Sequence, residues 1–179
     1  MNKQELRKDL RNKRNCMQNI ELLSQKITQQ ILKAEWFLQA KTVLLYRSAK
    51  NEVMTDCLWQ AAKQMGKTCL FPKCISKTEM IAVLAENEAD FSSSAYGIME
   101  PVSNLLFPKE NIDLVIVPGL GFDKQKYRIG YGAGYYDRYL EGFSGVTCGL
   151  CYDTLLCETV FPDFHDVKLS YVATENCIF

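Results

Sequence analysis

Apolar residues recur along this chain at two spacings, one helical and one alternating or continuous, and the change from one to the other marks its elements. In residues 2–15, Leu6 and Leu10 form an apolar stripe, while Lys3, Arg7, Arg11 and Arg14 recur along a separate basic face. Residues 20–37 read as a second helix, with Leu23, Ile27, Ile31, Ala34 and Leu38 on one side. The β-branched and aromatic run at 42–46 predicts a strand, followed by the polar loop Arg47 to Glu52. A helix is expected over 55–65, with Thr55 as its N-cap and Gly66 as its stop. Strands are expected at 67–71, closed by Pro72, and at 80–84. Residues 86–108, broken by Ser92-Ser93-Ser94, Gly97, Pro101 and Pro108, read as loops and short strands over a sheet. Leu114-Val115-Ile116-Val117 is a buried strand that stops at Pro118-Gly119, and the pattern turns helical again through Tyr135, Tyr136, Tyr139 and Leu140. A strand at 146–152, a short helix or turn at 154–161 and a last strand at 171–174 complete the series.

Strands alternating with helices predict an α/β fold, a three-layer α/β/α sandwich around a mostly parallel, Rossmann-like sheet. Ligands of such sheets sit beyond the carboxyl ends of the strands. The loops after residues 46, 71, 117 and 152 would then share one edge.

Composition narrows the classes. A chain of 179 residues with a 47% apolar fraction fits one globular domain spanning 1–179. No apolar run approaches the ~20 residues that span a bilayer, so no membrane partner is expected. The charged opening MNKQELRKDLRNKR lacks the apolar core of a signal peptide, which leaves the cytoplasm as the default compartment. Lys plus Arg equals Asp plus Glu at 21 each, so net charge gives no reason to expect nucleic acid, and any anion site must come from local clusters. A monomer is the working expectation. Cys148 and Cys151 form a C-x-x-C, but within a predicted strand their side chains point to opposite faces, and core-packed thiols are the stronger reading. The single histidine, His165, excludes multi-histidine metal sites, and no nucleophile elbow is present.

The chemistry concentrates in residues 113–140. Gly130-Tyr131-Gly132-Ala133-Gly134 follows a strand and precedes a helical pattern, an arrangement that offers backbone N–H groups to phosphate. It lacks the Lys-Ser/Thr of a P-loop and the spacing of the dinucleotide fingerprint, so by itself the triplet also fits a plain turn. Arg128 before it can supply a charge-assisted contact. Asp137 after it suits either a Mg²⁺ ligand beside phosphates or a first-turn helix charge.

The stretch PGLGFDKQKYRIGYGAGYYDRYL closely resembles the signature of the 5-formyltetrahydrofolate cyclo-ligase family. Lys3-x-x-Leu6-Arg7 matches that family's opening, and the Glu52 loop, Tyr96-Gly97-Ile98 with Pro101, Phe161-Pro162, His165-Asp166 and Thr174-Glu175 fall in the right order. The resemblance implies an enzyme that uses ATP and Mg²⁺ to convert 5-formyltetrahydrofolate to 5,10-methenyltetrahydrofolate, releasing ADP and phosphate after phosphorylation of the formyl oxygen. Carried over by position, Lys3, Gln4, Glu5, Leu6 and Arg7 would bind ATP. So would Arg128, Ile129, Gly130, Tyr131, Gly132, Ala133, Gly134, Tyr135 and Tyr136. Asp137 and Asp166 would hold Mg²⁺, with Arg128, Tyr136 and Asp137 as the catalytic set. Arg47, Glu52, Tyr96 and Tyr136 would bind the folate, with Glu52 on the pterin N–H groups and Phe122 as a further aromatic candidate.

Three departures stand out. Tyr131 replaces a residue that is usually basic in the family, Ala133 replaces Gly or Lys, and Lys168 replaces a frequent proline. The first would weaken ATP binding or shift that role onto Lys124, Lys126 or Arg138, and the second requires a negative φ at Ala133. A phosphotransferase acting on another small substrate and a non-catalytic folate or nucleotide binder are the alternative functions.

Overall fold

The computed structural model describes residues 2–93 and 97–179. The described residues form five α-helices: α1 (Lys3–Asn15), α2 (Ile20–Ile31), α3 (Glu35–Gln39), α4 (Asp56–Gln64) and α5 (Tyr135–Leu140). The strands through the first half of the chain are β1 (Thr42–Leu44), β2 (Thr68–Cys74), β3 (Met80–Leu84), β4 (Phe91–Ser93) and β5 (Met99–Pro101). The second half supplies β6 (Leu114–Val117), β7 (Gly121–Asp123), β8 (Arg128–Ile129), β9 (Val146–Leu150), β10 (Leu156–Cys157) and β11 (Tyr171–Ala173).

A six-stranded sheet in the order β11-β9-β6-β1-β2-β3 forms the centre, and every neighbouring pair is parallel except β2 with β3. The strands β1, β6 and β9 are buried on both faces, which is why they read as continuous apolar runs. From β1 the chain steps one way to β2 and later the other way from β6 to β9. Right-handed crossovers therefore put α4 and the connection carrying α5 on opposite faces of the sheet. The second helical layer is thin, since α5 has only 6 residues. The gap between β1 and β6 is the point where strand order reverses, the usual place for a ligand in such sheets.

Several boundaries differ from those expected. The helix predicted over 20–37 splits at residues 32–34, and Leu38 is exposed; the restart turns Phe37 into the core and stacks Trp36 on Tyr171 at 5.2 Å. Strand β2 runs through Pro72 rather than ending there. Leu45 N donates to Leu70 O, so Pro72, two positions on, turns its missing N–H to the same side, beyond the end of β1 where no partner is lost. Thr55 stands at the N-cap of α4, yet its hydroxyl donates to Tyr46 O instead of capping the helix.

The segment after β6 forms β7 and β8, which join β10 in a small sheet of order β10-β7-β8. Buried Asp123 organises it: Oδ1 accepts from Gln125 N and Tyr127 N, both at 3.0 Å, and Oδ2 accepts from Val160 N at 3.2 Å. Phe122 beside it is fully buried, against Gly119 and Gly149, so it is core and cannot pack on a folate. Cys148 and Cys151 are also buried and unpaired, with burial holding both thiols well above their ordinary range.

Candidate active site

One cleft of about 1360 Å³ opens at the carboxyl ends of β1 and β6. Helix α1 forms one wall. Asn2 caps it, accepting from Gln4 N and Glu5 N, while Glu5 returns a bond to Asn2 N in a capping box. That fixes the helix start, and helical spacing then turns Lys3 and Arg7 into the cleft together. Gln4, Glu5 and Leu6 do not line it: Leu6 is core, and Gln4 and Glu5 face solvent. Of the five residues expected at 3–7, Lys3 and Arg7 are the two whose side chains line the cleft, because a helix shows one face at a time.

Lys3 Nζ lies 2.6 Å from Asp163 Oδ2 and 2.5 Å from Asp166 Oδ2. Burial pulls the Lys3 ammonium down, but its bonds to the two aspartates outweigh that and hold it above its ordinary value. Burial pushes Asp166 up, yet Lys3 and the Asp163 N–H prevail and hold its carboxyl below the usual range. Asp163 carries no motif signal of its own, and sequence reasoning missed it.

The glycine loop forms the facing wall. Gly132 has φ +105° and Gly134 φ +69°, conformations that L side chains avoid, whereas Ala133 stays out of the left-handed region as its side chain requires. Arg7 Nε donates to Gly130 O at 3.0 Å, which ties α1 to this loop. Arg138 is engaged by backbone carbonyls, donating to Thr78 O between β2 and β3 at 2.7 Å and to Ala133 O in the loop at 2.6 Å. Neither Lys124 nor Lys126 lines the cleft, and Lys126 donates to Ser170 O. The cations beside position 131 belong to α1. Arg11 and Arg14 place their guanidinium carbons 5.5 and 5.4 Å from the Tyr131 ring centroid, and Arg14 donates to the Tyr131 hydroxyl.

Beyond the loop, Arg128 on β8 pairs with Asp137 on α5 through Nη2 and Oδ2 at 2.6 Å. Val167 N donates to Asp137 Oδ1 at 3.4 Å, which stitches the segment carrying Asp166 to the helix carrying Asp137. Both aspartates line the cleft. Their hard carboxylate oxygens suit Mg²⁺, which binds through one or two carboxylates plus substrate phosphates, and His165 stands beside Asp166 with Nε2 3.9 Å from Oδ1. Among the described residues no group of three or more His, Cys, Asp or Glu could cage a metal by itself. The donor set therefore fits an ion that arrives with a polyphosphate.

Tyr136 lies under the Arg128 guanidinium at 5.6 Å, and its buried hydroxyl has no hydrogen-bond partner among the described residues. Burial keeps that phenol firmly protonated. An orphaned donor at a cleft wall is a group waiting for a ligand acceptor.

At the β1 end, Glu52 accepts from Ala49 N through Oε2 at 3.0 Å and from Tyr131 through Oε1 at 3.3 Å. Burial raises its carboxyl above the ordinary glutamate value. Arg47 lines the cleft too, but its guanidinium is held by Glu88 at 3.0 Å and Asp56 at 3.2 Å and lies over Trp59 and Phe91. It shapes the wall more than it offers a free charge. Tyr96, the remaining folate-binding expectation, lies outside the described residues. No helix among the described residues is long and apolar enough to cross a membrane.

Comparison with known proteins follows the same lines. Residues 1–175 match the family model described as the 5-formyltetrahydrofolate cyclo-ligase family. The 5-formyltetrahydrofolate cyclo-ligase of Mus musculus is 27% identical over 97% of this chain and 94% of its own length. The solution structure of Aquifex aeolicus 5,10-methenyltetrahydrofolate synthetase aligns with a TM-score of 0.88 at 32% identity, covering 99% of this chain and 92% of that one. A 5,10-methenyltetrahydrofolate synthetase from Mycoplasma pneumoniae gives 0.79 at 30% identity, covering 98% and 99%.

Proposed function

The chain belongs to the 5-formyltetrahydrofolate cyclo-ligase family, and on that premise we propose that it closes 5-formyltetrahydrofolate to 5,10-methenyltetrahydrofolate at the expense of ATP, with Mg²⁺. One observation carries this: Lys3, Arg7, the glycine loop, Asp137, Asp166 and Glu52 all line a single cleft. At about 1360 Å³ it exceeds the ~300–1,000 Å³ typical of a single-ligand pocket, as two substrates side by side require.

The roles follow from position. The turn through Gly132 and Gly134 brings backbone close to phosphate oxygens without a Cβ in the way, and Lys3, Arg7 and Arg128 offset their charge. Asp137 and Asp166 would hold Mg²⁺, whose charge neutralises the transferring phosphoryl group. Glu52, an acceptor on a buried floor, suits the amino and ring N–H groups of a pterin.

The formyl oxygen of the substrate is amide-like and leaves poorly. It attacks the γ-phosphorus and ADP departs, giving a phosphorylated iminium. The nitrogen at position 10 then adds to the activated carbon, loses its proton, and the C–O bond breaks with inorganic phosphate as leaving group. These steps need alignment and charge neutralisation more than a nucleophilic side chain. The Tyr136 hydroxyl, protonated and unpartnered, supplies a donor for the oxygen that changes hands.

Mixing the protein with 5-formyltetrahydrofolate, ATP and Mg²⁺ tests the proposal. The near-ultraviolet absorbance of the methenyl product should grow, and only when ATP is present. No growth at high protein concentration overturns it, and binding of both substrates without turnover would make the chain a non-catalytic relative.

A further inference from the structure

Tyr131 joins two parts of the cleft that, on the functional reading above, hold different substrates. It stands between Gly130 and Gly132 in the phosphate loop, yet its hydroxyl reaches across to Glu52 Oε1 at 3.3 Å. The same hydroxyl accepts from Arg14 Nη2. Arg14 is only 3% exposed, and its Nη1 donates to Gly119 O at the end of β6 at 3.1 Å. The phenol is therefore anchored to the sheet on one side and to the β1 loop on the other. Arg14, Tyr131 and Glu52 form a directed chain, cation to hydroxyl to carboxylate, in which each bond polarises the next.

This arrangement has an energetic consequence. Glu52 Oε2 is fixed by the Ala49 N–H, but Oε1 takes its bond from a residue of the glycine loop. The orientation of the carboxylate thus depends on where that loop sits. The loop in turn is held by Arg7 at Gly130 O and by the Tyr131 bridge. We infer that Tyr131 is a positioning residue that couples the two substrate sites. A nucleotide seated on residues 130–134 fixes the hydroxyl on Glu52, and a pterin seated on Glu52 fixes the loop. Linkage makes the effect reciprocal: each ligand tightens the other by the same factor.

Calorimetric titration of the full-length protein tests this. 5-Formyltetrahydrofolate is titrated with and without a saturating non-hydrolysable ATP analogue and Mg²⁺, and the analogue is titrated with and without the folate. In the wild type each ligand should tighten the other by ~5-fold or more, equally in both directions. Tyr131→Phe keeps the ring under Arg11 and Arg14 and removes only the bridging hydroxyl; at a position 44% exposed it should fold. In that variant the factor should fall to about 1, and kcat/KM for the folate should drop more than kcat at saturation. Undiminished coupling in Tyr131→Phe, or none in the wild type, overturns the inference while leaving the functional reading intact. A wild type that binds neither ligand overturns both.

Discussion

Arg128 and Asp137 are joined at 2.6 Å across the base of the glycine loop, so the hairpin that precedes the loop and the helix that follows it are closed on each other by one ion pair. Both side chains are mostly buried. The loop therefore has fixed ends, and its glycines supply the freedom between them.

Asp137→Asn keeps the shape of that pair and removes the charge. Turnover should fall ~10²-fold or more, the range found when a single group aimed at transition-state charge is lost. Arg128→Ala should do the same, with an intact far-ultraviolet circular dichroism spectrum in both. Near-wild-type rates in both variants would mean that the loop is structural.

Lys3→Met separates binding from stability. Lys3 retains some exposure and pairs with Asp163 and Asp166 at the cleft rim, so the melting free energy should change by no more than about 1 kcal/mol. The KM for ATP should rise about tenfold, the worth of one charge-assisted contact. An unchanged KM would remove Lys3 from the phosphate site.

Glu52→Gln should stabilise the protein while weakening its grip on folate. Burial raises the Glu52 carboxyl in the folded state, so the fold binds that proton more readily than the unfolded chain does. Ionised Glu52 therefore costs stability above its folded pKa, and the cost disappears as pH falls through that value. The melting-temperature gain of Glu52→Gln should thus be larger at about pH 8 than at about pH 5. Folate affinity in the variant should drop about tenfold or more, because a charged acceptor becomes a neutral amide. A variant less stable at the higher pH would contradict the burial penalty.

Gly149→Ala tests the packing behind the site. A Cβ there would lie 2.2 Å from Phe122 Cε1 inside the core. Overpacking of this kind costs about 1–3 kcal/mol, which differential scanning calorimetry would read as a lower melting temperature. Activity per folded molecule should persist, since neither residue lines the cleft.

What could be read from the chain, and what could not, divides along physical lines. The strand Leu114–Val117 and its stop at Pro118 were legible because a strand buried on both faces is apolar throughout. The basic face of α1 was legible from its spacing: the structure turns Lys3 and Arg7 into the cleft and sets Arg11 and Arg14 against Tyr131. The side chains of Gln4 and Leu6 fall outside the cleft lining because the helical period separates them from Lys3 and Arg7. Asp163 and the engagement of Arg47 by Glu88 were hidden, because both depend on which distant segments meet. Phe122 was ambiguous for a related reason: an aromatic suits a core and a ligand equally until its burial is known.

The bond between Lys3 and Asp163 spans 160 positions of the chain, and that to Asp166 spans 163. Helix α1 carries two of the cleft's cations, Lys3 and Arg7, but is joined to the rest by side chains such as Leu6 and Leu10, with no place in a sheet. It can therefore open as a unit while the six-stranded sheet stays paired. Peeling it away would remove Lys3 and Arg7 from the cleft and release Tyr131 from Arg14. Substrate binding should then fail on heating or in urea before the sheet melts, so the catalytic lifetime of the molecule is set by how long its first helix stays docked.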